Sequence, residues 1–269
     1  MIGPNTQLFI SVSATPSSFG ARVYNLLFSK FGIDAVYIPR MAPDSPKELI
    51  NAILSLGISG CSVSMPLKSK VAEQINQLDE ICIATKAVNT IVNKGGELFA
   101  FNTDVVGIEA GFNTLNLKNV LIYGSGAMAR NCIYVLSKLG ISDLTIVSRN
   151  SKSGQNLVAE FNNISNLRYS NYDHLQKSYS LVINTTPCSH NPPNELLNLL
   201  NFTNKLFDFV LAPTPTKLIK IAKDRGISII DGVSLYRNQV RRQFEIYTGR
   251  AIELSDVDLA LNSIVGNIS

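Results

Sequence analysis

Residues 120–129 read Val120-Leu121-Ile122-Tyr123-Gly124-Ser125-Gly126-Ala127-Met128-Ala129. The pattern predicts a strand, a glycine-rich turn and the start of a helix. The first glycine permits a tight turn, and the second lets the backbone approach a pyrophosphate. The small third residue allows the helix to pack closely on the strand. The helix start offers free N–H groups and a partial positive charge to phosphates. The stretch therefore predicts a dinucleotide site formed by Gly124, Ser125, Gly126, Ala127, Met128 and Ala129.

The end of the following strand indicates which dinucleotide binds. This strand ends at Ser148-Arg149-Asn150, and Lys152 lies close behind. An NAD site usually has an acidic residue here that holds the ribose hydroxyls, whereas an arginine pairs with a 2′-phosphate. Arg149, with help from Lys152, thus predicts NADP as the cofactor. The alternative is a solvent-facing arginine at a strand end.

Apolar runs and helical patterns alternate along the chain, and this alternation predicts an α/β fold. Strands are expected at residues 8–12, 34–38, 58–63, 87–92, 98–101, 120–123, 144–147, 181–184, 206–210 and 227–230. Helices are expected at residues 21–31, 46–56, 216–225, from the glycine turn to residue 139, and twice after residue 235. The sheets should be mostly parallel with helices on both faces. We expect two domains, one of residues 1–104 joined by C-terminal helices at 238–269 that pack back on it, and one of residues 105–237.

The composition predicts a globular enzyme without a membrane span or a nucleic-acid surface. Of the 269 residues, 45% are hydrophobic and 16% are charged, and the net charge is only +4. The basic residues are scattered rather than clustered. No apolar run has the length of a membrane span, and the N-terminus lacks the features of a signal peptide. We expect a cytoplasmic protein, and the oligomeric state stays open.

The residue types that bind metals are few and dispersed. The four cysteines and two histidines stand at positions 61, 82, 132, 188, 174 and 190. No Cys-x-x-C motif or comparable ligand spacing is present, so no metal site is expected. The cysteines are expected to be reduced thiols.

A lysine and a carboxylate follow two apolar runs in the first part of the chain. Lys68 closes the segment Val63-Ser64-Met65-Pro66-Leu67-Lys68, and Asp104 closes Phe101-Asn102-Thr103-Asp104. Oxidation of an alcohol to a ketone releases a hydroxyl proton, which needs an acceptor within hydrogen-bond reach. A lysine beside a carboxylate can accept it. Beside a dinucleotide site the pair predicts hydride transfer, whereas the alternative is a surface ion pair of small energetic value.

Other polar residues stand at neighbouring strand ends, where ligands collect in open α/β sheets. They are Ser11, Ser13, Ser64, Asn89, Thr90, Asn102 and Thr103. Such hydroxyls and amides suit a small polyhydroxylated or carboxylated substrate. Taken one at a time, they are equally explained by the capping of turns and strand ends.

Taken together, the motifs resemble those of the shikimate dehydrogenase family, and they occur in that family's order. They are Ser11-x-Ser13, Val63-Ser64-x-Pro66-x-Lys68, Ala87-Val88-Asn89-Thr90, Asn102-Thr103-Asp104, the turn at Gly124, Arg149, and Gly232 with Gln239 and Phe244-Glu245-x-Tyr247-Thr248-Gly249. The resemblance spans nearly the whole chain. It implies a two-domain enzyme that reversibly reduces 3-dehydroshikimate to shikimate with NADPH.

The resemblance also implies roles for individual residues. Lys68 and Asp104 would be the catalytic pair. The substrate site would be lined by Ser11, Ser13, Ser64, Asn89 and Gln239. We also assign Thr185 and Gly232 to the cofactor site. The domain of residues 1–104 and 238–269 would bind substrate, and the Rossmann-type domain of residues 105–237 would bind NADP.

Several positions depart from the family's pattern. Ala14-Thr15-Pro16 follows Ser13, where a proline and a His-Asn pair are usual. Leu67 stands in place of a common histidine before the lysine, and Leu211 stands where a tyrosine is usual. The phosphate turn also differs from the usual Gly-Ala-Gly-Gly-Ala. These traits resemble the divergent shikimate-dehydrogenase-like branch, and they leave shikimate, quinate and related cyclic hydroxy acids open as substrates.

Two other functions stay open at this point. A methylene-tetrahydrofolate dehydrogenase has a similar layout but should carry a Tyr-x-x-x-Lys arrangement, and Tyr37 lies too far before Lys68 to supply it. A nucleotide-sensing protein could have kept the fold and lost turnover. Leu67 and Leu211 favour this second alternative, whereas the retained Lys68 and Asp104 disfavour it.

Overall fold

The computed structural model describes residues 2–113, 115–164, 166–175, 178–211 and 215–265. The chain divides into two compact units. The first unit runs up to Thr103 and resumes at Arg237, and the second unit runs from Asp104 to Tyr236.

A mixed sheet lies at the centre of the first unit, and six of its strands fall within the described residues. These are β1 (Gln7–Ser13), β2 (Ala35–Met41), β3 (Gly60–Val63), β4 (Gln77–Leu78), β5 (Thr90–Lys94) and β6 (Glu97–Phe101). Their order is β2-β1-β3-β5-β6-β4. β1 pairs in parallel with β2 and β3, whereas β5 pairs antiparallel with β3 and β6. The ends of β1, β3 and β6 and the start of β5 therefore lie at one edge of this sheet.

Alternation along β1 places Ile10 and Val12 on one face of the sheet and Phe9, Ser11 and Ser13 on the other. Ile10 and Val12 point into a core cluster that also contains Cys61 and Val63. Because side chains alternate across a strand, Ser11 points to the opposite face. This opposite face is the one that carries the polar residues at the sheet edge.

Helices cover the first sheet, and polar side chains mark where several of them begin. They are α1 (Ser18–Lys30), α2 (Pro46–Ser55), α3 (Lys68–Ala72), α4 (Glu80–Thr85), α11 (Leu254–Val265) and the later part of α10 (Gly232–Thr248). The side chains of Ser17, Ser45 and Asp79 accept hydrogen bonds from first-turn amides of α1, α2 and α4, which is the usual helix N-cap. α11 packs on α1, and an ion pair of 2.7 Å joins Lys30 to Asp256 there.

The second unit contains a parallel sheet in which every pairing among the described residues is parallel. Its strands are β7 (Asn119–Tyr123), β8 (Asp143–Val147), β9 (Leu167–Tyr169), β10 (Leu181–Asn184), β11 (Lys205–Asp208) and β12 (Ser228–Asp231). Their order, β12-β11-β10-β7-β8-β9, is the doubly wound order of a Rossmann fold, with the order reversing beside β7. Ligands of such sheets bind at the carboxyl ends of the strands near this reversal.

The connections of the second sheet are mainly helices. They are α5 (Asp104–Phe112), α6 (Ala127–Lys138), α7 (Ser151–Glu160), α8 (Asn194–Leu199), α9 (Lys217–Asp224) and the first residues of α10. Short 3-10 turns lie at Tyr172–His174, Cys188–His190 and Leu200–Phe202. α6 follows the glycine turn directly, so its N-terminus lies at the ligand-binding edge of the sheet.

The expected α/β fold is confirmed, including the Rossmann-type sheet and the return of the C-terminal helix to the first unit. Some boundaries were wrong. The strand expected from residue 87 begins at Thr90, and the strand expected at 206–210 ends at Asp208. β4 and β9 were not predicted, because two and three residues are too few to show an alternating pattern. No helix within the described ranges is long and apolar enough to cross a membrane.

Candidate active site

Three hydroxyl groups from adjacent strands lie in one row on one face of the first sheet. Ser11 of β1 pairs with Ser62 of β3, and Ser62 pairs with Thr90 of β5. Side chains of paired residues point to the same face of a sheet. Ser13 lies two residues beyond Ser11 and shares that face. We call these four residues, Ser11, Ser13, Ser62 and Thr90, the polar strip; it reaches the edge where β1 and β3 end.

The loops at this edge place the two outer serines. The Ser13 hydroxyl accepts a hydrogen bond from the Thr15 amide and donates one to the Thr15 carbonyl, both at 3.2 Å. The Ser64 amide donates to the Val12 carbonyl at 2.9 Å. Both serines are half-buried. The unusual residues after Ser13 thus supply its local hydrogen-bond partner.

Asn89 is buried at the same edge, just before β5 begins. Its Oδ1 accepts hydrogen bonds from the Thr103 amide at 2.8 Å and from the Thr90 hydroxyl at 2.7 Å. Its Nδ2 donates to Thr103 Oγ1 at 3.0 Å. Two donors on the oxygen and one acceptor on the nitrogen leave a single orientation for the amide. Asn89 therefore links the start of β5 to the segment that follows β6.

Lys68 is the first residue of α3 and is half-buried. Its carbonyl accepts a hydrogen bond from the Val88 amide at 2.9 Å, which places its backbone beside the segment that contains Asn89. Leu67, directly before it, is fully buried in the core of the first unit. Leu67, which departs from the histidine common in the family, is therefore a core residue of the first unit.

Gln239 lies on α10 and is half-buried. One turn further along the same helix, Gln243 is buried and makes hydrogen bonds to the polar strip. Its Nε2 donates to Thr90 Oγ1 at 2.5 Å, and its Oε1 accepts from the hydroxyl of Ser62 at 2.9 Å. Gln243 was not predicted from the sequence, although its spacing of four residues from Gln239 places both on one face of a helix.

The glycine turn in the second unit has the geometry that close phosphate approach requires. Gly124 has φ of 120°, and a Cβ there would overlap with Thr185 Oγ1. A Cβ at Gly126 would meet no atom within 4 Å, so the turn faces open space at this point. Gly126 is the N-cap of α6 and supplies no side-chain hydrogen bond. The N-terminus of α6 therefore begins at this open point of the turn, where a helix favours an anion, and Ala129 is fully buried where the helix packs.

The other residues assigned to the cofactor lie at different depths. Arg149 and Lys152 are exposed, at the end of β8 and in the first turn of α7. Thr185 is half-buried and donates its hydroxyl proton to the Tyr123 carbonyl at 2.9 Å. A Cβ at Gly232 would lie 2.7 Å from the Phe209 carbonyl oxygen. Close backbone packing thus accounts for the glycine at position 232, and its contact with a cofactor stays a prediction.

Asp104 is the first residue of α5 and is buried within the second unit. Its Oδ2 accepts a hydrogen bond from Asn131 Nδ2 on α6 at 3.5 Å. Asn131 is fully buried, and it was not predicted from the sequence. The catalytic carboxylate expected from the motif is therefore held by the helix that begins at the glycine turn.

A second buried carboxylate, Asp208, lies at the end of β11. Its Oδ1 accepts hydrogen bonds from Ser189 Oγ at 2.6 Å and Asn184 Nδ2 at 3.1 Å, and its Oδ2 accepts one from Thr216 Oγ1 at 3.1 Å. Burial raises the pKa of Asp208, and these hydrogen bonds act in the opposite direction. The network holds the loops after β10 and β11 at the ligand-binding edge, and half-buried Leu211 follows in the second of these loops.

The thiols and metal-binding residue types form no separate centre. All four cysteines are free, and burial raises the pKa of Cys61 and Cys132. In the part of the chain that the structure describes, no group of three or more His, Cys, Asp or Glu side chains could hold a metal ion.

Comparison with known proteins gives the family. Residues 11–91 match the shikimate dehydrogenase substrate binding domain, and residues 108–194 match the shikimate / quinate 5-dehydrogenase family. The shikimate dehydrogenase-like protein of Haemophilus influenzae is 33% identical over 258 residues, which cover 92% of this chain and 93% of the relative. The chain belongs to the shikimate dehydrogenase family. The resemblance noted from the motifs is thereby confirmed.

Two further proteins extend the comparison within the shikimate dehydrogenase family. A relative from Methanosphaera stadtmanae, named shikimate dehydrogenase (NADP(+)), is 27% identical over 249 residues and covers 87% of this chain and 88% of its own length. A solved structure of a shikimate 5-dehydrogenase-like protein has a TM-score of 0.81 at 31% identity and covers 97% of this chain and 98% of its own. The family membership makes the chain an oxidoreductase by class.

Proposed function

We propose that this protein is an NADP-dependent oxidoreductase that reversibly reduces 3-dehydroshikimate to shikimate or a closely related cyclic hydroxy acid. We assign substrate binding to residues 1–104 and 238–269, and NADP binding to residues 105–237. The observation that carries the substrate class is the polar strip of the first sheet. The strip offers the hydroxyls of Ser11 and Ser13, and we assign the Ser64 hydroxyl and the amides of Asn89 and Gln239 to the same ligand. Such groups suit a ligand rich in hydroxyl and carboxylate groups.

NADP is the cofactor named for the Methanosphaera relative, and it agrees with the preference expected from Arg149. When bound, it accepts or donates the hydride of the reaction. The pyrophosphate would lie against the first turn of α6, and Arg149 with Lys152 would contact a 2′-phosphate. Ser125, Ala127, Met128 and Thr185 would complete this site.

Proton exchange falls to Lys68 with Asp104. In the oxidising direction a neutral lysine amine accepts the proton of the substrate hydroxyl, and in the reducing direction the ammonium returns it. Neither histidine of the chain belongs to the first unit, so Lys68 is the better candidate for this exchange. Asp104 is the carboxylate partner of the pair by family resemblance.

Steady-state assays with shikimate and quinate, each with NADP and NAD, test the proposal. We expect the highest kcat/KM with shikimate and NADP. Turnover of quinate and not of shikimate would identify quinate as the substrate and contradict the proposed one. Binding of NADPH without turnover of either acid would instead support the nucleotide-sensing alternative.

Substitution of Arg149 should separate the two cofactors. A charge-assisted contact to a 2′-phosphate contributes about 1.5–3 kcal/mol. Arg149→Ala should therefore raise the KM for NADP about tenfold or more and change the KM for NAD little. Arg168→Ala is a matched control, because Arg168 is a half-exposed arginine paired with Asp143 on the same sheet. An equal loss with both cofactors in Arg149→Ala would make Arg149 a structural residue.

Substitution of Ser13 or Gln239 should weaken substrate binding and leave the fold intact. Both side chains are half-buried polar groups that contribute little to the hydrophobic core. Loss of one hydrogen bond should weaken the affinity for shikimate by about three- to tenfold. Titration of shikimate into Ser13→Ala and Gln239→Ala measures this, with Gln77→Ala as a surface control in the same unit. Unchanged affinity in both variants would place the substrate elsewhere.

A further inference from the structure

A hydrogen-bond network around Gln243 includes two residues of the polar strip, Ser62 and Thr90. We call it the Gln243 network, and its members are Tyr24, Tyr37, Ser62, Thr90, Gln243 and Tyr247. Tyr24 donates its hydroxyl proton to Gln243 Oε1 at 2.5 Å. The Ser62 hydroxyl is 2.6 Å from that of Tyr37 and 2.8 Å from that of Tyr247. The rings of Tyr24 and Tyr37 are stacked at 4.6 Å, which keeps their two hydroxyls side by side.

The partners of Gln243 determine which end of its amide faces the strip. Its Nε2 donates to Thr90 Oγ1 at 2.5 Å and approaches the Asn89 carbonyl at 3.5 Å. A carbonyl oxygen only accepts hydrogen bonds. The opposite end of the amide receives hydroxyl protons from Tyr24 and Ser62. Gln243 therefore presents N–H groups, and not its oxygen, to Thr90.

This orientation of the Gln243 amide determines where the Thr90 hydroxyl donates its single proton. Because Gln243 occupies the acceptor side of Thr90 Oγ1, the hydroxyl donates to Asn89 Oδ1 at 2.7 Å. Asn89 then has Oδ1 held from two sides, by Thr90 and by the Thr103 amide, and its Nδ2 held by Thr103 Oγ1. Gln243 thus fixes the direction of the Thr90 hydroxyl, and that hydroxyl donates to the Asn89 amide, which we assign to substrate binding.

We infer that Gln243 is a positioning residue that acts through Thr90 to hold the Asn89 amide in its substrate-binding orientation. The inference rests on the proposed function for the role of Asn89, and it adds a residue that does not itself contact substrate. Burial of a glutamine side chain costs free energy unless its hydrogen-bonding positions find partners. The side chain of Gln243 has partners in Tyr24, Ser62, Thr90 and the Asn89 carbonyl, all in the first unit, and its Nε2 faces Thr90 and Asn89.

The variant Gln243→Glu tests the direction of the network with little change in shape. A glutamate carboxylate accepts a hydrogen bond from the Thr90 hydroxyl, whereas the glutamine amide donates one to it, so the Thr90 hydroxyl turns away from Asn89. We expect the KM for shikimate to rise about three- to tenfold, with an unchanged affinity for NADPH in a fluorescence titration. Thr90→Val removes the same link and should have the same effect. The double variant should lose no more than either single variant, because both break one path.

Tyr24→Phe is the matched control. It removes one hydrogen bond from the other end of the Gln243 amide and leaves the donation to Thr90 in place. Tyr24→Phe should lower thermal stability about as much as Gln243→Glu does. It should leave the KM for shikimate within about twofold of the wild type. A Tyr24→Phe variant with the same rise in KM as Gln243→Glu, or additive effects of Gln243→Glu and Thr90→Val, would overturn the inference and leave Gln243 a purely structural residue.

A second readout separates this inference from the proposed function. The side-chain amide of Asn89 gives its own resonances in nitrogen-15 NMR spectra. Gln243→Glu and Thr90→Val should shift these resonances and speed their exchange with solvent, whereas Tyr24→Phe should change them much less. Absence of turnover in the wild type would contradict the proposed function alone. Unchanged Asn89 resonances in both variants would contradict the positioning role.

Discussion

Replacement of Lys68 by alanine should lower the turnover number by about 10²–10⁴-fold, which is the usual contribution of a positioned acid–base group. The affinity for substrate in the ground state should change far less, since proton transfer belongs mainly to the transition state. Single-turnover and steady-state measurements with shikimate and NADP, over a range of pH, give both quantities. Turnover at the wild-type level in Lys68→Ala would remove the lysine from the mechanism.

Two further variants make the result of Lys68→Ala specific. Lys70→Ala changes an exposed lysine on the same short helix and should leave turnover unchanged. Asp104→Asn should slow turnover, because the proton exchange loses its carboxylate partner while the side chain keeps nearly the same size. If Lys70→Ala slowed the reaction as much as Lys68→Ala, the effect would belong to helix α3 as a whole.

The second sheet was predicted closely because its strands have an unambiguous pattern. A strand that is buried on both faces appears as an unbroken apolar run between turn residues. β10 was expected and found at Leu181–Asn184, and β7 and β8 differ from expectation by one residue at the start. The glycine turn between β7 and α6 also predicted that this strand and helix form a dinucleotide-binding unit. Short elements such as β4 and β9 lack enough residues for any period to be visible.

Apart from Gln239, which came from the family resemblance, the predicted substrate residues lie within, directly before or directly after strands of the first sheet. Ser13, Ser64 and Asn89 could be grouped because strands of one sheet end at shared edges. Gln243 and Asp208 could not, because a single polar residue in an apolar pattern does not indicate its partners. Tyr24 and Gln243 are 219 positions apart in the chain and yet share a hydrogen bond. Distant pairings of this kind depend on how the sheet and helices pack, which local patterns do not contain.

Leu67 and Leu211 both depart from the family's pattern, but they lie in different surroundings. Leu67 fills the core of the first unit, so the histidine common in the family is replaced by a packing residue. Leu211 is half-buried in the loop after β11, the same loop that the Asp208 network holds. A leucine at that position supplies no hydroxyl in this loop, where the family resemblance implies a tyrosine. The substrate preference should therefore depend more on Leu211 than on Leu67.

Loss of the Asp208 carboxylate should lower the free energy of unfolding by about 3 kcal/mol. Asp208→Ala leaves the buried donors of Thr216 and Ser189 without their acceptor, and each unsatisfied group costs about 1–3 kcal/mol. Urea unfolding followed by circular dichroism measures the change. Asp224→Ala is the control, since Asp224 is exposed at the end of α9 and should cost no more than about 0.5 kcal/mol. Equal effects of the two substitutions would show that the Asp208 network contributes nothing to stability.

The pH dependence of the same stability difference tests the environment of Asp208. Burial raises the pKa of Asp208 above that of an unfolded aspartate, about 3.9. The native state therefore binds the proton more tightly, and the stability that Asp208 contributes is fully present below the unfolded pKa and is lost as the pH rises through the native pKa. The difference in unfolding free energy between the wild type and Asp208→Asn should accordingly shrink from about pH 4 toward neutrality. A difference that grew with pH would mean that the hydrogen bonds from Ser189, Asn184 and Thr216 outweigh burial and lower the pKa instead.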